Sequence, residues 1–146
     1  MATFRISAVL FCCVLFLFSC QQDSKTAKLS LSVDSLENVR WQLHSAQAFT
    51  IPTKGELVPY IEFIAPDKVS GFTGCNRFQS NVNIDNSTIH FTPLAMSKRY
   101  CMETAEVESA FVKALTTVEQ GHITDNTLTL LNENGDMVLS FKGKLR

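Results

Sequence analysis

The chain has 146 residues, is 45% hydrophobic and carries a formal net charge of −1. That length suits one domain with a single apolar core and is short for two. The near balance of charge argues against a nucleic-acid binder, which would show a basic stripe, and no run of like charge forms an acidic tail or a polybasic patch.

The first element is a greasy run. Arg5 precedes the apolar stretch from Ile6 to Phe18, and Gln21-Gln22-Asp23-Ser24-Lys25 follow at once after Ser19-Cys20. A bilayer-spanning helix needs about 20 apolar residues, so this run is too short for a stable span. A basic start, a short apolar core and a small residue before the junction describe a secretory signal peptide over residues 1–19. Leu17-Phe18-Ser19-Cys20 resembles the lipobox of bacterial lipoproteins, and no A-x-A site competes with it. The resemblance implies that the Cys20 thiol takes a diacylglyceryl group, with palmitate-type acyl chains, and becomes the first residue. The expected location is the bacterial cell envelope, at the outer membrane facing the periplasm or the surface, with the membrane reached through lipid on Cys20. An ordinary cleaved signal with a free Cys20 is the competing possibility.

Residues 20–35 are polar and rich in Ser, Lys, Asp and Gln, the composition of a flexible tether. About 15 such residues reach a root-mean-square distance of roughly 20 Å. The folded domain is expected over 36–146. Val39, Trp41 and Leu43 alternate with Arg40, Gln42 and His44, the period of a strand with one buried face. Tyr60 to Ile64 is β-rich, and Pro66-Asp67-Lys68 turns the chain into Val69-Ser70-Gly71-Phe72. Phe78 to Ile84 alternates again, Asp85-Asn86 forms a turn, and Thr88 to Phe91 completes a hairpin.

One helix is expected around Val107, Ala110, Phe111, Ala114, Leu115 and Val118, spaced as an amphipathic stripe. Thr104 is the candidate N-cap, Glu106 and Glu108 suit the positive end of the helix dipole, and Gly121 is the candidate stop. A second hairpin joins Thr127 to Leu131 with Met137 to Phe141 across Asn132-Glu133-Asn134-Gly135. Strands joined by tight turns around one helix predict an α+β fold. The expected form is a strongly bent antiparallel sheet or partly open β-barrel, with one main helix packed against it.

Two clusters could carry chemistry. In Gly71-Phe72-Thr73-Gly74-Cys75-Asn76-Arg77-Phe78, the glycines mark a bend or a close approach, and Asn76 suits a turn stabiliser. Arg77 is its outward-reaching charge. Ser97-Lys98-Arg99-Tyr100-Cys101 precedes the helix, either as a small ligand-facing patch or as a solvated loop tied through its cysteine. Cys12 and Cys13 leave with the signal, so an exported domain retains Cys75 and Cys101, most simply as one disulfide. Closing 26 residues this way would restrict the unfolded chain by about 3–4 kcal/mol. A reactive thiol is the alternative, though no neighbouring histidine offers itself as a base. Zinc spacing is missing, and His44, His90 and His122 are scattered, so no metal or cofactor is implied.

Together the clusters resemble the META domain of HslJ-like bacterial proteins, over roughly Leu36 to Phe141. The match rests on Gly71, Gly74, Cys75, Asn76 and Phe78, then Leu94-Ala95, Ser97 and Cys101. Trp41 fits its opening strand, Glu108, Phe111 and Leu115 its helix, and Leu128 with Leu130 its closing hairpin. Ser97-Lys98-Arg99-Tyr100-Cys101 stands where the family commonly has Thr-x-Met-Ala-Cys. The resemblance implies a small α+β envelope domain, lipid-anchored or secreted and stress-related, with no established catalytic residues. It also implies likeness to the cracked barrel of secretion-system pilot lipoproteins. The expected function is therefore a non-enzymatic envelope lipoprotein binding an envelope protein or an apolar ligand. A thiol-dependent enzyme or redox sensor using Cys75 and Cys101 is one alternative, and a pilot-like chaperone or inhibitor another.

Overall fold

Alternating burial turns these strands into a barrel wall. The computed structural model describes residues 31–145. The expected signal peptide, Cys20 and the first part of the tether lie outside them. In chain order come α1 (Val33–Leu36), β1 (Val39–Ala46), a 3₁₀ turn (Gly55–Leu57), β2 (Tyr60–Ala65), β3 (Lys68–Phe72) and β4 (Arg77–Asp85). Then follow β5 (Thr88–Phe91), the two-residue β6 (Ala95–Met96), α2 (Ala105–Thr116), β7 (Gln120–Thr124), β8 (Thr127–Leu131) and β9 (Met137–Leu145). Neighbouring strands are antiparallel in the order β3-β2-β1-β9-β8-β7-β5-β4, and β3 pairs with β4 to close eight strands into a barrel. The ninth strand, β6, adds to β4 through Phe78↔Met96 and Gln79↔Ala95.

Closure needs curvature, and one extra residue in a strand bends it. Extra residues fall between Leu43 and Ser45 on β1, between Phe63 and Ala65 on β2, and at Val138 on β9, opposite Leu130 and Leu131 of β8. Ile64 follows the inward Phe63, faces outward by ordinary alternation, and is the unpaired residue of the β2 shift, which accounts for an exposed isoleucine in an apolar strand. The seam between β5 and β7 is narrow. Its paired register is Thr88↔Gln120, flanked by Ile89 N donating to Glu119 O at 3.1 Å and Gly121 N to Ser87 O at 2.8 Å.

Trp41, Leu43, Ile61, Phe63, Val69, Phe78, Val82, Leu128, Leu130, Leu139 and Phe141 point inward from the wall. Helix α2 turns Phe111, Ala114 and Leu115 onto this core. The Phe111 ring lies 6.3 Å from Phe78 and 6.3 Å from Phe141, edge-on to the latter. That geometry suits aromatic quadrupoles, and each ring buries about 150–250 Å² of surface.

The packed body begins before Leu36. Leu31 is only 4% exposed, and α1 seats a fully buried Leu36 whose carbonyl accepts Trp41 Nε1–H at 3.1 Å. Residues 31–35, assigned by composition to the tether, are therefore part of the fold. Gly121 is not the helix stop. Thr117 caps α2 through its backbone N–H, and Gly121 lies in β7, where an added Cβ would meet Leu31 Cδ1 at 2.8 Å and Leu130 Cδ2 at 3.0 Å. Strands β6 and β7 escaped the sequence reading. The β7–β8 turn is made by Asp125 and Asn126, both at positive φ, a conformation that Asx side chains tolerate.

Phe111→Ala would remove the wedge between helix and barrel. The expected loss is about 3–5 kcal/mol, read from the urea unfolding midpoint at unchanged m-value.

Candidate functional site

The loop between β3 and β4 gathers the residues singled out from the sequence. Gly71 pairs with Phe78 across β3 and β4, and the Phe78 ring fills the space a side chain at 71 would need. An added Cβ would meet the Tyr60 carbonyl oxygen and lie 2.5 Å from Phe78 Cε1. Gly74 has φ +99°, a backbone region closed to most side chains. This turn brings Cys75 to Cys101, and the two form a disulfide with Cα atoms 5.8 Å apart.

Asn76 is the centre of the arrangement, at 2% exposure. Its Oδ1 accepts from Ser97 Oγ at 2.8 Å and from Arg99 N at 2.8 Å. Its Nδ2 donates to Arg99 O at 2.9 Å and to the Glu108 carboxylate at 3.0 Å. One amide thus uses both its donors and both acceptor positions. The backbone N–H of Asn76 reaches Thr73 Oγ1 at 2.9 Å and Glu108 Oε2 at 3.1 Å, and the Thr73 hydroxyl also donates to Glu108.

Glu108 therefore does more than face the helix dipole. It is a half-buried acceptor on α2 receiving three groups of the β3–β4 loop. Hydrogen bonds to an ionised group are worth about 1.5–3 kcal/mol. Thr104 occupies the N-cap position without capping by its side chain, contrary to the expectation. Its hydroxyl donates instead to Gly74 O at 3.1 Å, tying the helix start to the same loop.

The second cluster is joined to the first. Arg99 supplies its backbone N–H and carbonyl to Asn76, and its guanidinium donates to the Cys75 carbonyl. Lys98 and Tyr100 point to solvent, with Tyr100 80% and Met102 83% exposed. Arg77 also stays outside, its Nη1 lying 3.4 Å from Tyr60 Oη. Of the expected motif residues, Gly71, Gly74, Cys75, Asn76 and Phe78 converge inward and Arg77 does not. No group of three potential metal ligands occurs among the described residues.

Of the concavities elsewhere on the described surface, two matter below, and neither was legible in the sequence. A groove of about 630 Å³ runs between the outer face of α2 and the ends of β1 and β9, lined mainly by Ala48, Ala105, Ala110, Ala114 and Val138. A cleft of about 400 Å³ on the barrel wall is lined by Arg40, Tyr60, Phe72, Arg77 and Lys144, with the 3₁₀ turn beside it.

An Asn76→Asp variant would set a second carboxylate against Glu108 and remove both amide donors. The expected loss is about 3 kcal/mol or more in chemical denaturation, against about 2 kcal/mol for Glu108→Gln. Mass mapping should also find the Cys75 and Cys101 peptides refractory to alkylation in the native protein until a reductant is added.

The fold compares with solved structures at low sequence identity. A protein from Burkholderia xenovorans solved by NMR superposes at a TM-score of 0.64 with 23% identity, covering 78% of this chain and 87% of that one. A second protein solved by NMR gives 0.61 and 24%, covering 77% and 94%. A DUF4847 family protein from Bacteroides vulgatus ATCC 8482 gives 0.58 and 12%, covering 77% and 97%. No curated protein matches the sequence. The META domain profile matches residues 34–144, spanning the barrel, the disulfide and the Asn76–Glu108 network. The chain belongs to the META domain family.

Proposed function

We propose that this chain is a non-enzymatic, lipid-anchored envelope protein that holds an apolar ligand against α2. The observation that carries this reading is the groove of about 630 Å³ between α2 and the barrel. Its size lies within the roughly 300–1,000 Å³ of small-ligand sites, which combine apolar walls with a few polar groups. Here the floor is Ala48, Ala105, Ala110, Ala114 and Val138, and Gln47, Glu106, Ser109, Lys113 and Thr117 stand among them. Alanines keep the floor low because they carry no side chain beyond Cβ. The register shift beside Leu131 adds to the depth, since Val138 drops out of the β8 ladder and its carbonyl accepts Gln47 N–H at 3.2 Å.

The chemistry of the motif supports binding over catalysis. A bonded Cys75–Cys101 pair offers no thiolate, and Asn76 and Glu108 spend their polar atoms on each other and on the neighbouring loops. Both facts weigh against the thiol-dependent alternative. The envelope location rests on the sequence alone, through the short apolar run, its Ser19-Cys20 junction and the polar residues after it.

Two experiments test this. The neutral dye N-phenyl-1-naphthylamine should gain fluorescence in the groove, and Ala110→Trp, which fills it, should reduce that gain at least fivefold while leaving the unfolding midpoint within about 0.5–1 kcal/mol. An unchanged gain in the variant would remove the ligand half of the proposal. Cys20→Ala should shift the protein from the membrane fraction to the soluble one, and continued sedimentation with membranes would remove the lipid anchor.

A further inference from the structure

The outer wall of the barrel carries a second site built by strand register. Gln42 pairs with Tyr60, Tyr60 with Phe72, and Phe72 with Arg77, so one row of outward residues crosses β1 to β4. Arg40 pairs with Lys144 one row away, across β1 and β9. Outward residues opposite one another stand about 4.5–5.5 Å apart at Cβ, close enough to act together. The Tyr60 and Phe72 rings lie 6.0 Å apart and 32° from coplanar, forming an apolar floor. The 3₁₀ turn, with Glu56, and Val58 make the opposite bank of a cleft of about 400 Å³.

The charges in this cleft are unevenly matched. Arg40 donates from Nε to Glu62 at 2.7 Å and stacks its guanidinium 4.3 Å over the Tyr60 ring. That hydrogen bond holds the Arg40 pKa above its ordinary value, so the group stays charged. Glu62 offsets Arg40. Arg77 and Lys144 are exposed and make no ion pair among the described residues. Against these two cations the described residues of the lining present Glu56 alone. Counted over the described residues, the cleft therefore holds one excess positive charge, in a chain whose overall charge is −1.

We propose that this cleft binds a monoanionic organic acid, with the carboxylate on Arg77 and an apolar body laid across Tyr60 and Phe72. A guanidinium fork matches both oxygens of a carboxylate, and Lys144 adds to the field as a mobile point charge. One excess charge balances a carboxylate and falls short of a phosphate dianion. The aromatic floor favours a flat or branched apolar body over a bare ion. Such a group is presented by a small free acid or by the C-terminal residue of a peptide. This site is separate from the groove on α2, and neither proposal depends on the other.

The test is an NMR titration of the full, ¹⁵N-labelled chain with N-acetylphenylalanine, its neutral amide, the tripeptide Gly-Gly-Phe and inorganic phosphate. The acid should move the amides of Tyr60, Phe72 and Arg77 saturably, and the neutral amide should bind at least about tenfold more weakly. Arg77→Gln should weaken the acid by about tenfold, while Lys98→Gln, an exposed cation outside the cleft, and Ala110→Trp leave it unchanged. Gly-Gly-Phe binding more tightly than the acetylated residue assigns a chain end, and weaker binding assigns a free acid. Equal binding of acid and amide would overturn the proposal, as would an unaffected Arg77→Gln variant. Tighter binding of inorganic phosphate would overturn it in favour of a dianion site.

Discussion

The side-chain amide of Asn76 holds three separate pieces of chain in one place. The β3–β4 loop carries it, the Ser97–Arg99 segment meets its oxygen and its nitrogen, and Glu108 of α2 takes its remaining donor. Few other side chains could do this. An acid would offer no donors, an alkyl residue would leave Arg99 N–H and the Glu108 carboxylate unpaired, and a longer amide would not fit a site at 2% exposure. Partly satisfied networks in a low-dielectric setting are costly, so the completeness of this one positions α2 as firmly as its apolar contacts do.

The other ties converge on the same point from different chemistry. The disulfide joins the loop to the segment before α2, Thr104 ties the helix start to Gly74, and Phe111 wedges between Phe78 and Phe141. Covalent restraint acts on the unfolded ensemble, polar pairing fixes orientation, and aromatic burial supplies the driving force. The β5–β7 seam has a single paired register, Thr88↔Gln120, and beside it Gly121 packs closely against Leu31. Close approach there is possible because position 121 has no side chain.

Several of these residues, Cys75, Asn76, Phe78 and Phe111 among them, also carried the family resemblance in the sequence, and all four are buried. Recognition therefore reports on scaffold. The surfaces that could meet other molecules use other side chains: small alanines on the outer side of α2, and a row of aromatic and cationic side chains on the wall to which the motif lends only its outward-facing Phe72 and Arg77. Division of labour of this kind lets one fold carry different ligands through changes that leave the core intact.

The amino-acid sequence by itself determined the strands with strict alternation, the helix and the hairpins, each set by local periodicity or by turn residues. It made a Cys75–Cys101 bridge the simplest expectation beside a reactive thiol, and the structure has the bridge. It also marked Gly71, Gly74 and Asn76 as special without showing their partners. Tertiary structure alone decided that Glu108 meets Asn76, that Thr104 bonds Gly74, and that Arg99 contributes mainly its backbone to Asn76. Strand β7 was hidden because Gln120-Gly121-His122 lacks apolar alternation and becomes a strand by pairing with β8. The start of the fold at Leu31 was hidden because one apolar residue among polar ones looks like a linker until a cavity receives it. Contacts between residues some 30 positions apart depend on how the barrel closes, and no local pattern encodes that closure.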